Sequence, residues 1–339
     1  MNDGKVRVAA VQAASVPLDR AATTAKACAL IREAGRNGAQ MVVFPEGFIP
    51  AHASWYHHHT ATGPVCTGLS VRLFENAVEV PGPETEALAQ AARDAGAVVI
   101  MGVCERRAGS NGTMFNTHIT FDADGTLVGH HRKFMPTVGE RLVHTGGHGD
   151  TFGGHDTRLG RVSGLVCGEN LNPLAIFALT QENTVVHGMS WPAYFGLYGT
   201  PIQLLVQATS QAFALMSGAF VVSACGVLDD ATAATLEMPE ADRKLLAEPG
   251  RLGGSMIVAP SGAILAGPMG TEEGILYAEC DLALIRRAKL AVDLSGHYHR
   301  PDIFSLHVNR TAPEARVDHV LPRPDDGSGL RAATDDAEG

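Results

Sequence analysis

Three side chains with complementary chemistry each stand near the end of an apolar run in this sequence. They are a thiol, Cys167, a carboxylate, Glu46, and an ammonium group, Lys133, and each run that precedes them is typical of a buried strand. A thiol, a base and a cation that converge at strand ends can carry out covalent catalysis, in which the sulfur attacks an electrophilic carbon. The sequence therefore predicts one site built from residues that lie far apart along the chain.

Cys167 is the predicted nucleophile among six cysteines. A free cysteine is usually a small buried hydrophobic residue, and this alternative stays open for Cys167 as well. Cys28 falls in a predicted helix, and Cys104 and Cys225 fall in apolar strands, where burial keeps a thiol protonated and inert. Cys167 differs because Gly168 follows it at a strand end, where the next backbone amides can stabilise a developing negative charge.

The two charged residues have different alternatives. Glutamate is normally a solvated surface residue, but Glu46 lies between apolar residues and prolines, where a carboxylate needs a partner and is suited to act as a general base. Lys133 taken alone is better explained as a strand-end side chain that extends to water. Glu140, seven residues later, is expected to pair with this lysine or to position a substrate.

The histidine clusters at 57–59 and 130–131 do not have the spacing of a metal site. Adjacent residues do not converge on one ion as residues four apart on a helix do, and the sequence has no His-Glu-x-x-His or Cys/His motif. A solvated or packed role is therefore favoured for these histidines. The sequence also has no P-loop and no Gly-x-Gly-x-x-Gly after a strand.

Composition excludes several classes of partner. The 339-residue chain carries a net charge of −10, whereas nucleic acids and anionic membranes favour basic patches. The uncharged stretch 204–228 is interrupted by polar residues, so a buried helix followed by a strand at 220–225 explains it better than a membrane span. Scattered cysteines without a Cys-x-x-Cys pair, and an N-terminus unlike a signal peptide, favour a cytoplasmic protein.

Strands and helices alternate along most of the chain. Strands are predicted at 6–13, 41–44 and 98–103, with a helix between each pair, the first capped by Asp19 and the second ended by Gly96. This alternation is typical of an α/β protein with helices that cover a sheet.

Two short turn sequences and the C-terminal composition complete the organisation. Asp124-Gly125 and Ser261-Gly262 each separate two apolar runs and predict hairpins, so the sheet is expected to be mixed. We expect one α/β domain over residues 1–321. Residues 322–339 are polar and rich in proline and glycine, which predicts a disordered acidic tail.

Several motifs in this order resemble those of the nitrilase superfamily of carbon–nitrogen hydrolases. Phe-Pro-Glu46, His-Arg-Lys133 and Val-Cys167-Gly-Glu-Asn are similar to the regions around the Glu–Lys–Cys triad of that family. Further stretches are more similar to the true nitrilase branch than to its amidase or carbamoylase relatives, namely 133–141, 143–147, 169–174, 190–193 and 296–302.

The resemblance implies a fold and a reaction. The fold is an α-β-β-α sandwich, with two mixed sheets packed face to face between helices. Glu46 is implied as the general base and Cys167 as the nucleophile on a nitrile carbon. Lys133 is implied to stabilise the thioimidate and tetrahedral intermediates, with Glu140 holding Lys133 and the substrate. Water then releases ammonia and a carboxylic acid, and no metal or organic cofactor is needed.

The expected protein is thus a nitrilase that acts on a small-molecule nitrile. The resemblance also implies a homodimer or a larger spiral homo-oligomer. An amidase, or a nitrile or cyanide hydratase of the same superfamily, remains an alternative. A non-catalytic scaffold is disfavoured because all three triad residues are present.

Gly168 departs from the pattern of many nitrilases, which carry tryptophan directly after the nucleophile. The pocket wall beside the thiol is therefore expected to differ. Trp55, Gly168 and Trp191 are the candidate substrate-binding residues, and Tyr56 and Phe195 are further aromatic candidates. Each aromatic residue is at least equally consistent with core packing, so the type of nitrile is not predicted.

Overall fold

Two six-stranded sheets form the centre of the protein, whose computed structural model describes residues 4–312. In spatial order the first sheet contains β12 (Gly274–Asp281), β1 (Lys5–Gln12), β2 (Met41–Val43), β3 (Val98–Arg106), β4 (Met114–Phe121) and β5 (Leu127–Arg132). The second contains β11 (Ile264–Ala266), β10 (Met256–Val258), β9 (Phe220–Cys225), β8 (Val186–Trp191), β7 (Gly160–Val166) and β6 (His155–Thr157).

Both sheets are mixed in the same way. Strands β1, β2 and β3 pair in parallel, as do β7, β8 and β9, and the outer strands of each sheet are antiparallel. Central parallel strands are buried on both faces, and β2 and β8 are accordingly buried along their whole length.

Helices cover the outer faces of the two sheets. Leu88 and Ile31 pack against Val42 and Val99 of the first sheet, and Phe213 lies in the cluster that covers the second. A third cluster joins the inner faces of the sheets, so the protein has the four layers α-β-β-α that the resemblance implied. The helices are α1 (Arg20–Arg36), α2 (Pro64–Asn76), α3 (Pro83–Ala95), α4 (Pro173–Gln181), α5 (Ile202–Ser217), α6 (Asp230–Thr235), α7 (Glu240–Leu246) and α8 (Ala283–Ala291).

Local signals in the sequence account for the ends of these elements. Asp19 Oδ1 accepts a hydrogen bond from the amide of Ala22 at 2.9 Å and caps α1. Gly96 ends α3 with φ = 60°, a left-handed conformation that favours glycine. The Asp124-Gly125 and Ser261-Gly262 turns connect β4 to β5 and β10 to β11, which confirms both predicted hairpins.

The uncharged stretch forms α5 and β9, as the sequence predicted. Among the helices of residues 4–312, none has both the length and the apolar character that crossing a bilayer requires. The single domain over residues 1–321 stays a prediction, and the predicted acidic tail at 322–339 lies outside the described residues.

Candidate active site

Lys133, Glu46 and Glu140 meet inside the protein. The Lys133 ammonium donates hydrogen bonds of 2.7 Å to Glu46 Oε1 and 2.7 Å to Glu140 Oε2. All three side chains are buried. Lys133 and Glu46 come together because Lys133 follows β5 and Glu46 lies just beyond β2, at the same edge of the first sheet. The alternative that Lys133 extends to water is therefore wrong.

Asn116 of β4 holds the two carboxylates together. Its Nδ2 atom donates to Glu46 Oε1 at 2.8 Å and to Glu140 Oε1 at 2.7 Å. Its backbone oxygen accepts a hydrogen bond from the Lys133 amide at 2.8 Å. The pairing of β4 with the chain after β5 therefore also fixes the position of the Lys133 backbone relative to Asn116. A buried charged cluster of this kind is stable only when most of its polar atoms are paired.

Glu140 has a second cationic neighbour on its far side, His144. The carboxylate accepts from His144 Nδ1 at 3.2 Å and from the Thr137 amide at 2.8 Å. The other ring nitrogen of His144 lies 2.7 Å from Cys104 Sγ. Cys104 therefore contacts a polar ring and does not have the purely apolar surroundings that its strand predicted.

In this cluster, the combined effect of charged neighbours on each pKa is larger than the opposing effect of burial. Burial alone would lower the pKa of Lys133, but Glu46 and the other nearby negative groups raise it well above its usual value. Burial alone would raise the pKa of Glu140, but Lys133 and His144 hold it well below its usual range. Burial also opposes the charge on His144, yet Cys104 and Glu140 raise the pKa of His144 to about 10. Lys133 and His144 are thus cations on two sides of the Glu140 carboxylate.

Cys167 is presented by a sharp turn between β7 and a short 3₁₀ helix, Cys167–Leu171. Its φ of 52° is left-handed, a conformation that costs a non-glycine residue on the order of 1 to 3 kcal/mol. Glu169 holds the turn by accepting from the amides of Val166 at 2.9 Å and Phe134 at 2.8 Å. Asn170 Nδ2 donates to the Cys167 carbonyl at 3.0 Å. These bonds fix the direction of the thiol.

The thiol needs a base before it can attack. Burial raises the pKa of the Cys167 thiol well above its usual value, the Glu46 carboxylate raises it further, and Lys133 opposes this. The resting sulfur is therefore a neutral thiol. Glu46 Oε2 is buried and has no hydrogen-bond partner within residues 4–312, which leaves this oxygen available to accept a proton.

A cavity of about 250 Å³ gives access to these groups. Cys167, Glu46, Lys133 and Glu140 line its inner end, so the structure brings together the four residues that the sequence analysis selected. Much of the remaining wall is aromatic or imidazole, and comprises His52, Tyr56, His57, Tyr194, Phe195 and Tyr198.

The three candidate substrate-binding residues lie elsewhere. The indole rings of Trp55 and Trp191 are fully buried in hydrophobic clusters and are not among the described residues that line the cavity. Trp191 contributes through its backbone oxygen, which accepts from the Glu46 amide at 3.2 Å. Gly168 faces the hydroxyl of Thr137 and does not line this cavity either.

Among the histidines of the two clusters in the sequence, His57 lines the cavity and the other four have structural partners. His58 contacts Asp242 at 3.0 Å and Tyr194 at 2.6 Å, and His131 contacts Glu169.

One group with the side chains of a metal site occurs within residues 4–312. Ligand atoms of Glu46, His52 and Glu140 lie within 4.8 Å of one another. The Lys133 ammonium is hydrogen-bonded to both carboxylates of this group, so the positive charge between them comes from a side chain.

Sequence reasoning missed Asn116, His144 and His52. One feature could have pointed to Asn116: it is a polar amide within β4, a strand in which every residue is buried. His144 and His52 lie in irregular segments, where no periodicity marks the direction of a side chain. Their contacts depend on how separate segments pack.

Comparison with known proteins agrees with the fold. The carbon–nitrogen hydrolase family matches residues 7–290. A nitrilase of Paraburkholderia phymatum is 39% identical, over 91% of this chain and 88% of that protein. An aliphatic nitrilase of Rhodococcus rhodochrous is 37% identical, over 90% of this chain and 82% of that protein.

Among solved structures, the NitFhit protein of C. elegans has the same fold, with a TM-score of 0.68 and 19% identity over 93% of this chain and 70% of that one. The chain belongs to the carbon–nitrogen hydrolase family. It is a hydrolase of carbon–nitrogen bonds other than peptide bonds.

Proposed function

We propose that this hydrolase is a nitrilase, which converts an organic nitrile and two waters to a carboxylic acid and ammonia. The observation that carries the proposal is the Cys167 thiol beside the Glu46 carboxylate and the Lys133 ammonium at the end of one cavity. The names of the relatives, nitrilase and aliphatic nitrilase, support the choice of a nitrile over an amide.

The first step joins sulfur to the nitrile carbon. As Cys167 Sγ attacks, Glu46 Oε2 takes the thiol proton and passes it to the nitrile nitrogen, which gives a thioimidate. The Lys133 ammonium stabilises the negative charge that develops on this nitrogen, since its raised pKa keeps it protonated. Glu140 holds that ammonium in place, and Asn116 holds Glu140.

Two water molecules complete the reaction. The first water gives a proton to Glu46 and adds to the thioimidate carbon. Departure of ammonia from the resulting tetrahedral intermediate then gives a thioester. The second hydrolyses the thioester, and the proton returns to Cys167 as the acid departs. Departure of sulfur from the first tetrahedral intermediate would instead give an amide, the product of a hydratase.

The cavity favours a compact nitrile with an apolar group. Its volume of about 250 Å³ is below the roughly 300 Å³ at the lower end of pockets for drug-sized ligands. Its walls offer the rings of Tyr56, Tyr194 and Phe195, which suit aliphatic or flat aromatic groups.

A substrate screen tests the proposed function. Ammonia and organic products are measured with a panel of nitriles and their amides, and the Cys167→Ser protein serves as the blank. Carboxylic acid and ammonia from at least one compact nitrile are expected. Amide as the sole product from every nitrile would identify a hydratase, and turnover of amides alone would identify an amidase.

We also propose a homo-oligomer in the cytoplasm. Large apolar side chains are exposed along the 3₁₀ helix after β7, α4 and α5, including Leu171, Leu174, Leu204 and Leu215. Such a surface favours association. All six cysteines are free thiols, which suits a reducing compartment. Light scattering on the purified protein should give at least twice the mass of one chain.

A further inference from the structure

A second, narrower opening reaches the catalytic carboxylate. It is a recess of about 50 Å³, compared with about 250 Å³ for the substrate cavity. Glu46 and His52 line both spaces. The lining also includes Ser15 and Pro17, which are partly exposed, whereas Glu46 is buried. The recess therefore extends from the surface beside Ser15 and Pro17 to Glu46.

Three buried polar atoms without partners belong to the wall of this recess. They are Glu46 Oε2, His52 Nδ1 and Thr232 Oγ1, none of which has a hydrogen-bond partner in the described part of the chain. A buried polar atom left unpaired costs free energy, and water is its usual partner where space allows. One water needs about 10 to 15 Å³, so the recess has room for a few water molecules.

We propose that this recess is a water passage that delivers the hydrolytic waters to Glu46 from outside the substrate cavity. The inference rests on the proposed nitrilase function, because that reaction consumes two waters while the cavity is filled by the substrate. The observation that supports the water passage is that one side chain, Glu46, lines both the wide cavity and the narrow recess. The recess has about one fifth of the volume of the substrate cavity, which suits water better than an organic nitrile.

The chemical balance is that of ordinary hydrolysis. At each step the water oxygen bonds to the substrate carbon while Glu46 takes one proton. In the first step this proton and the proton of the hydroxyl group left on carbon both pass to the substrate nitrogen, which departs as ammonia as the thioester carbonyl forms. In the second step the proton from Glu46 passes to the Cys167 sulfur as the acid departs. Thr232 and His52 hold the next water in line, by hydrogen bonds to a hydroxyl and a ring nitrogen.

Two variants narrow the supply of water without touching the cavity wall. Thr232→Val keeps the shape of the side chain and removes its hydroxyl, and Thr232→Ser restores a hydroxyl. Ser15→Phe places a ring at the outer end of the recess. Its matched control is Val16→Phe, which adds a ring at the next residue, an exposed position outside the recess lining.

The measurement separates the step that needs no water from those that do. Formation of the Cys167 adduct from a nitrile is followed by rapid quench and intact mass, and turnover is followed by ammonia release. We expect Thr232→Val and Ser15→Phe to form the adduct at the wild-type rate, to turn over about fivefold more slowly, and to accumulate the adduct. Thr232→Ser should recover most of the turnover, and Val16→Phe should match the wild type.

The proposal is overturned if both variants turn over like their controls, or if they slow adduct formation as much as turnover. The second result would indicate a general distortion of the site. Failure of the nitrilase function itself is distinguishable, because the wild type would then release no acid and ammonia from any nitrile.

Discussion

Two thiols of this protein are equally buried but lie in different surroundings. Cys167 is 2% exposed and Cys104 is 1% exposed. Cys167 lies beside a carboxylate at the end of a cavity, whereas Cys104 lies against an imidazole in a hydrophobic cluster behind Glu140. Contact with an imidazole alone would favour Cys104 as the nucleophile. Under the proposed mechanism, access to a substrate and a base with a free oxygen distinguish the thiol that reacts from the one that does not.

Removal of the Cys167 thiol should have the largest effect. Cys167→Ala eliminates the atom that bonds to carbon, so ammonia release should fall by a factor of about 10⁴ or more. The fold should persist, since the turn is held by Glu169 and Asn170. Circular dichroism melting checks the fold, and retention of even one hundredth of the activity would contradict the role of Cys167.

Loss of the base should have the next largest effect. Glu46→Gln keeps a side chain of the same shape but cannot accept the thiol proton, and kcat should fall about 10³-fold. Glu105→Gln is the matched control, because Glu105 is also a buried glutamate, paired with Arg132 and His130 but outside the cavity wall. It should lower thermal stability and change kcat little. Equal losses of kcat in the two variants would argue against a base role for Glu46.

His144 lies between Cys104 and Glu140, which lines the cavity with Cys167. The charge on His144 should make the free energy of unfolding depend on pH. Its pKa rises from 6.5 to about 10 on folding. The stabilisation from its proton is therefore complete below about pH 6.5 and is lost as the pH rises through about 10. The groups that face the ring are Glu140 and Cys104, with His52 nearby.

Urea unfolding of the wild type and His144→Asn between pH 6 and 10 measures this effect. Asparagine keeps a donor near Glu140 but carries no proton that titrates in this range. The stability difference between the two proteins should shrink as the pH rises, and kcat of the variant should fall about tenfold at neutral pH. A difference that is constant with pH would show that His144 is neutral.

Replacement of the second thiol should have the smallest effect. Cys104→Ser keeps a hydrogen-bonding atom near His144 Nε2 and leaves Glu140 at the other ring nitrogen, so the unfolding free energy should change by about 1 to 2 kcal/mol. kcat should stay close to that of the wild type, as measured by ammonia release. A large loss of kcat would mean that Cys104 acts on the reaction through His144 and Glu140. The two thiols would then differ less in their effect on kcat than their positions indicate.

Much of the fold was predictable because its signals are local. Strands such as β1 and β9 are continuous apolar runs, α1 begins at the Asp19 cap, and Gly96 ends α3. The order of Glu46, Lys133 and Cys167 is likewise visible, because each follows a strand. The pocket wall was not predictable, since aromatic residues serve cores and cavities equally well. Trp55 and Trp191 pack in the core, whereas Tyr56 and Phe195 face the cavity.

The amino-acid order by itself determined which elements form and which reactive groups stand at strand ends, because periodicity, caps and turns act over a few residues. Only the tertiary structure decided that Asn116 joins the carboxylates, that His144 lies behind Glu140, and that a narrow recess ends at Glu46. These contacts depend on strand register and on the packing of one sheet against another. Both are set by the sum of many burial and hydrogen-bond energies that no short stretch of sequence contains.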